Sequence, residues 1–336
     1  MGDYLTNQVR ERDVVDQKLI RRFMLRNGNS IPGIGFGTYP HGVTHEESAN
    51  AVYNAIKLGY RLIDCAANYG NEKEIGLAIE FAIKEGVPRE DLFITSKLKS
   101  TKLSQGEVFP ALEQTLRDLR LDYLDGYYIH WPFPNLHLSE LTTERSPDAR
   151  PYIHEEYIVI WRELEKAYDQ KLICSLGTSN MTMKKYKRFL EDVRIAPSFE
   201  QLELHPCFSQ VEYVNYLKLN SILPVAYSPI GAPNRVEKTG NEVCDIEQPE
   251  IVEIADNHGV HPATICLKWA IQRDTLPLAF SGKYRNYCDN LKGITEDMLS
   301  DEEMNIMNGL ECNSRINKGI GFLWESAKDW HDIWDE

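Results

Sequence analysis

The chain has 336 residues, with 51 acidic against 37 basic side chains and a formal net charge of −14 at neutral pH. That surplus repels nucleic acid and anionic membranes, whose binding rests on neutralising phosphates with Lys and Arg, so an anionic ligand needs a local basic pocket. A hydrophobic share of 42% beside 26% charged residues is that of a globular protein with a large core.

Seven cysteines, an odd number without a CxxC pair, argue against a disulfide scaffold and against a zinc cluster. No apolar run approaches the roughly 20 residues that cross a bilayer, and the charged start MGDYLTNQVRERDVVDQ lacks the apolar core of a signal peptide. A cytoplasmic, membrane-free protein is expected.

Residues 1–22 read as a polar extension, loosely held at the surface. In residues 23–39, FMLRNGNSIPGIGFGTY, the pair Asn27-Gly28 between apolar runs predicts a hairpin whose two central residues take positive φ. Beyond it, short β-rich runs alternate with helical patterns, giving eight strands near 34–38, 60–65, 92–97, 126–131, 172–178, 198–203, 223–228 and 277–281. Helical spacing between them is visible in Val52, Ala55, Ile56 and Gly59, and in Val108, Leu112, Thr115, Leu116 and Leu119. Alternating β and α units imply a parallel sheet, and eight of similar length predict one closed (β/α)8 TIM barrel over residues 23–336. An open doubly wound sheet is the alternative. Residues 132–154, residues 229–248 and the irregular tail 312–336 are the long segments expected at the functional face.

In such a barrel the C-terminal ends of the strands converge on one mouth. Asp64, Lys97 and His130 end three of the predicted strands, each after an apolar run, and Tyr69 follows in the loop after the second. A buried Lys and a buried Asp are costly unless paired, so Asp64 and Lys97 are expected to pair. A phenol with a pKa of about 10 is a poor acid at neutrality, and an adjacent ammonium is expected to lower that value. Tyr69 then gives its proton to a carbonyl oxygen that His130 polarises. Singly, each of these residues reads as packing; together, at adjacent strand mouths, they read as a proton-transfer site. His205, the pair His258 and His261, and the pair His137 and His154 have no carboxylate or Cys at ligand spacing and read as structural, as does Cys65. No metal is expected.

The segments LIDCAANYGNE, ITSKL, YIHWP, GTSN, EQLELHP and AYSPIG resemble, in order and spacing, the successive motifs of the aldo-keto reductase superfamily, from about Phe23 to the tail. The resemblance implies an NAD(P)H-dependent oxidoreductase that interconverts an aldehyde or ketone and an alcohol. It implies a tetrad of Asp64, Tyr69, Lys97 and His130, with Tyr69 as general acid. It further implies that Ser179, Asn180 and Gln201 hold the nicotinamide carboxamide, that Tyr227 stacks on the ring, and that Gly37, Thr38 and Asp64 lie beside the cofactor. Ser228, Pro229, Ile230 and Ala232 are implied at the pyrophosphate, and Phe280, Ser281, Asp289 and Asn290 toward the adenosine. The family binds its dinucleotide without a GxGxxG turn, and Gly33, Gly35 and Gly37 have the wrong spacing for one.

The chain also departs from the family pattern. Where many members clasp the 2′-phosphate of NADP with a Lys and an Arg, it has Phe280 and Asn286, with Lys283 and Arg285 close by. NADP(H) is favoured on the resemblance, with NAD(H) as the alternative. Tyr39 stands where a Trp is common, and Glu200 where an Asn is usual. Tyr39, Tyr69, His130, Trp131 and Trp324 are the expected walls of the substrate pocket, and Glu140, Glu144 and Asp148 point toward a hydroxylated carbonyl compound such as a sugar. The expected assembly is a monomer or weak homodimer. Two other classes stay open at this stage: a cofactor-binding regulatory barrel with little turnover, and a barrel hydrolase using paired carboxylates or a metal.

Overall fold

The structure, a computed structural model, describes residues 4–135, 145–233 and 244–336. A short antiparallel hairpin, β1 (Arg22–Met24) and β2 (Ser30–Pro32), precedes eight parallel strands. These are β3 (Gly35–Gly37), β4 (Leu62–Asp64), β5 (Phe93–Leu98), β6 (Gly126–Ile129), β7 (Leu176–Ser179), β8 (Phe199–Glu203), β9 (Leu223–Tyr227) and β10 (Leu276–Ala279). They close in the order β10-β3-β4-β5-β6-β7-β8-β9, the expected barrel rather than an open sheet.

Around them run α1 (His45–Leu58), α2 (Glu72–Lys84), α3 (Val108–Leu119), α4 (His154–Asp169), α5 (Met183–Asp192), α6 (Val211–Leu219), α7 (Pro249–His258), α8 (Pro262–Gln272), α9 (Tyr284–Gly293), α10 (Asp301–Asn308) and α11 (His331–Trp334). Local chemistry starts them: a reciprocal capping box of Thr44 and Glu47 opens α1, and Pro opens both α7 and α8. The buried row of α3 is the predicted one, Val108, Leu112, Thr115, Leu116 and Leu119.

Side chains alternate along a strand, so each β-strand offers one row to the barrel interior. The lower interior is filled by Leu62, Phe93, Tyr128, Phe199, Val225, Leu276 and Leu278, with Phe23, Leu25 and Ile31 of the hairpin as a plug beneath. Continuing up the same rows by steps of two residues gives Asp64, Lys97, His130, Gln201 and Tyr227. Polar groups therefore begin where the apolar floor ends.

Three local expectations change. The hairpin forms, but only Gly28 has positive φ (86°). Gly28 N–H donates to the Leu25 carbonyl (2.9 Å) and Leu25 N–H to Asn29 (2.8 Å), so the loop has three residues, not two. That leaves the Asn27 side chain to donate to the Cys174 carbonyl (2.9 Å) and fix the hairpin to the barrel. The strand expected from residue 172 begins at Leu176, with Ile173 making only an isolated bridge to Leu124. Residues 4–22 of the N-terminal extension are not loose. Asp13, 2% exposed, accepts from Arg10 (2.7 Å), Lys292 (2.7 Å) and Tyr284 (2.9 Å), while Asn54 donates to the Thr6 carbonyl (2.9 Å).

The floor has no room for growth. A Cβ on Gly177 would lie 1.9 Å from Phe199 Cε2 and 2.7 Å from Tyr128 Cδ1. Gly177→Ala is expected to cost about 1–3 kcal/mol through overpacking. Urea unfolding should show a lower midpoint at unchanged slope; an unmoved midpoint would mean that the floor has slack.

Candidate active site

Lys97 is fully buried and its ammonium donates to Asp64 Oδ2 (2.6 Å) and to the Cys65 carbonyl (2.8 Å). The other carboxylate oxygen of Asp64 accepts from Thr95 Oγ1 (2.7 Å) and Gln201 Nε2 (3.2 Å). Thr95 was not singled out from the sequence, although it lies two residues before Lys97 on the same inward row. Lys97 Nζ stands 5.2 Å from the centroid of the Tyr69 ring, and the His130 ring meets Tyr69 edge-on at 5.7 Å. Tyr39, 42% exposed, leans on the outer side of Tyr69 at 5.2 Å.

Burial is the leading influence on the ionisation of all three groups. It raises the pKa of Tyr69 above the ordinary phenol value; the charge of Lys97 pulls the other way without overcoming it. The expected net lowering is therefore corrected: the ammonium acts in the anticipated direction, but desolvation outweighs it and the phenol stays protonated at neutral pH. For Lys97 the balance is reversed: burial lowers its pKa, but Asp64, seconded by Tyr69 and Cys65, outweighs burial and holds the ammonium charged. Burial, seconded by Lys97, drives His130 well below the usual histidine range, so its imidazole is neutral.

Next to these lie the exits of β7, β8 and β9. Asn180 takes a left-handed backbone (φ 59°), donates to the His130 carbonyl (2.9 Å) and to Ser179 Oγ (3.0 Å), and accepts from the Tyr227 hydroxyl (2.8 Å). Ser228 (φ 51°), Gly231 (φ 74°) and Ala232 (φ 42°) repeat the left-handed conformation after β9, around buried Pro229 and half-buried Ile230. Thr38 is buried and donates to the Asp64 carbonyl (3.0 Å), and Gly37 faces Phe280, whose ring packs edge-on against Phe36 (5.7 Å). At the start of α9, Ser281 Oγ accepts from the Lys283 N–H and the Asn286 side chain (3.2 Å each). Arg285 reaches Asp289 (3.3 Å) in the open, while buried Asn290 accepts from Thr264 (3.2 Å).

Trp131 and Trp324 belong to the seating of the tail. Trp131, 3% exposed, stacks on Phe322 (4.4 Å) beside Trp334 (5.7 Å), and Trp324 stacks on Phe133 (6.0 Å). An open cleft of about 510 Å³ runs beside the tail between Met181, Phe208, Arg315 and Trp334, but none of Asp64, Tyr69, Lys97 and His130 lines it. Glu140, Glu144 and His137 lie outside the described residues, and Asp148 is half-buried. His154 and His258 pair with Asp192 (2.8 Å) and Glu303 (2.9 Å), and among the described residues no group of acidic, His or Cys side chains is arranged to hold a metal.

The family profile described as Aldo/keto reductase family matches residues 33–311. The chain belongs to the aldo/keto reductase family. It is 37% identical over 308 residues to an NAD(P)H-dependent D-xylose reductase of Kluyveromyces lactis, covering 87% of this chain and 93% of that one. It is 35% identical to human aldo-keto reductase family 1 member A1, covering 87% and 90%. Among solved structures it resembles a Bombyx mori aldo-keto reductase in complex with NADP (TM-score 0.79, 29% identity, 88% and 94% covered). An aldose reductase from Schistosoma japonicum is similarly close (TM-score 0.77, 35% identity, 88% and 94% covered). The reductase is an oxidoreductase, and no helix among its described residues is long and apolar enough to cross a membrane.

Glu200, which the sequence left without a role, faces away from the barrel interior in this reductase. It is fully buried, and Oε1 accepts the Met181 N–H (2.9 Å) directly after Asn180. Burial pushes its pKa up to about 8, with Thr178 and the Met181 N–H opposing. A carboxyl raised this way favours the folded state fully below its ordinary range and loses that contribution as pH rises through about 8. The difference in Tm between Glu200→Gln and wild type should therefore grow in favour of the variant between pH 5 and pH 9, by ~2 °C or more. A pH-independent difference would place an ordinary carboxylate there.

Proposed function

We propose that this reductase converts a small hydroxylated aldehyde or ketone to its alcohol, with Tyr69 as proton donor and NADPH favoured over NADH. The observation that carries the reading is the charged Lys97, clamped by Asp64 at 2.6 Å and standing 5.2 Å from the Tyr69 ring, with a neutral imidazole at 5.7 Å on another side.

The mouth of the barrel fits a nicotinamide dinucleotide. Ser179, Asn180 and Gln201 offer amide and hydroxyl groups beside the tetrad, the Tyr227 ring stands between β9 and Asn180, and the left-handed turn from Ser228 to Ala232 is a backbone conformation that non-glycine residues keep only where neighbours enforce it. Ser179, Asn180 and Gln201 would hold the carboxamide, Tyr227 the ring face, and Ser228, Pro229, Ile230 and Ala232 the pyrophosphate. Gly37, Thr38, Phe280, Ser281, Asp289 and Asn290 would complete the groove. When bound, the reduced nicotinamide supplies the hydride that goes to the carbonyl carbon. Tyr69 gives its proton to the carbonyl oxygen, and Lys97 stabilises the phenolate left behind. His130, being neutral, orients that oxygen with a single N–H. Tyr39 and the tail 312–336, backed by Trp131 and Trp324, would form the substrate side. The Kluyveromyces relative named as a D-xylose reductase supports a hydroxylated substrate. Seven cysteines, none of them in a disulfide, fit a reducing cytosol.

Tyr69→Phe should lower kcat/KM for para-nitrobenzaldehyde and D-xylose by about 10²–10⁴-fold while NADPH still quenches protein fluorescence as in wild type. Turnover surviving the substitution would remove Tyr69 from the reaction. For the 2′-phosphate we assign Lys283 and Arg285. Lys283→Ala and Arg285→Ala should each weaken NADPH roughly tenfold with little change for NADH; equal losses for the two cofactors would argue against phosphate contacts.

A further inference from the structure

Three segments around the proposed site meet at one imidazole. His205, just past β8 and 1% exposed, contacts Asp245 Oδ2 through Nδ1 (2.9 Å) and Glu203 Oε1 through Nε2 (3.2 Å); the two carboxylates are 2% and 1% exposed. Glu203 also accepts the backbone N–H groups of Ile316 (2.6 Å) and Asn317 (2.7 Å) from the tail. Asp245 lies at the far end of the segment that follows β9. It accepts the Cys207 N–H (3.0 Å), and its Oδ1 would be only 2.2 Å from a Cβ on Gly231, so it packs directly on the Ser228–Ala232 turn. The carbonyl of Cys207 in turn accepts from Cys312 (3.2 Å) and Ser314 (3.1 Å).

A neutral imidazole has one N–H and can satisfy only one of two carboxylates; the other would face a lone pair. Both contacts are favourable together only when both ring nitrogens donate. Burial opposes that charge, but hydrogen bonds to Asp245 and Glu203 outweigh it and hold the His205 pKa at about 9. Removing either carboxylate leaves the imidazolium with one anion and frees the backbone donors on that side.

We propose that His205 is a positioning residue that closes both walls of the site, seating the dinucleotide-facing turn through Asp245 and the substrate-facing tail through Glu203. This rests on the assignment of the Ser228–Ala232 turn and the tail made under the proposed function. The two arms predict separable effects. Asp245→Asn should raise the Kd for NADPH about tenfold by fluorescence titration and leave the KM for para-nitrobenzaldehyde at saturating NADPH within twofold. Glu203→Gln should do the reverse, and His205→Leu should raise both constants, with kcat changed less than either. A purely structural cluster would lower Tm in all three variants and shift both constants alike in each; that pattern, or unaltered constants in folded variants, overturns the clasp. Should His205→Leu fail to fold, the two carboxylate variants decide alone. Wild type that binds neither NADPH nor NADH would take down the dinucleotide reading and the clasp with it, whereas wild-type binding with undivided effects sinks only the clasp.

Discussion

The buried ammonium of Lys97 sets the terms for the mouth of this barrel. An unpaired charge with no solvent exposure would cost several kcal/mol, and the protein surrounds it with Asp64, the Cys65 carbonyl and the faces of Tyr69 and Tyr128 at 5.2 and 5.5 Å. Asp64 is then a buried anion that also needs donors, which Thr95 and Gln201 provide. The chain of requirements fixes the register of the sheet. Asp64 pairs with Thr95, and Ser179 with Gln201; a slip of one residue in any of these strands would turn its polar group out among the helices.

The same desolvation divides the labour among the groups. Tyr69 remains a phenol, His130 remains neutral, and only Lys97 keeps its charge because Asp64 is in contact with it. One fixed cation beside one protonated phenol is an arrangement suited to lose a proton outward and to stabilise the resulting anion. The sequence carried the pairing but not the balance: the sign of the net shift on Tyr69 depends on how much water the surrounding rings exclude, and Tyr39 reaches its place from the end of β3 while Tyr128 and the His130 ring come from β6.

What was legible followed local rules. Strand exits bearing an ionisable group after an apolar run located Asp64, Lys97 and His130, and the period of the helix gave all five buried residues of α3. What was missed depends on distant partners. The extension looked loose because Asp13 finds Lys292 across 279 positions, and His205 looked devoid of acidic neighbours because Asp245 is 40 positions away. Glu203, two residues off, was within sight, but a strand residue at that spacing shares a face with His205 only if the extended conformation persists past the strand end. The turn of the hairpin was misjudged for a different reason: Asn27 serves the barrel with its side chain instead of its backbone.

Strand β8 shows how these demands combine. Its sequence Phe199–Glu203 is buried throughout although two of its five residues are acidic. Phe199 fills the floor, Glu200 faces outward and holds the backbone behind Asn180, Gln201 faces inward to Asp64, Leu202 joins the outer core, and Glu203 faces inward to receive the tail. Acidic residues in a closed barrel destabilise it unless donors come to them, and the donors come from loops that must therefore fold over the mouth. Met181 N–H, the His205 imidazole and the tail amides of Ile316 and Asn317 are those donors. The segments that cover the mouth of the barrel are thus held by carboxyl groups placed beneath them, together with the stacking of Phe322 and Trp324 on Trp131 and Phe133.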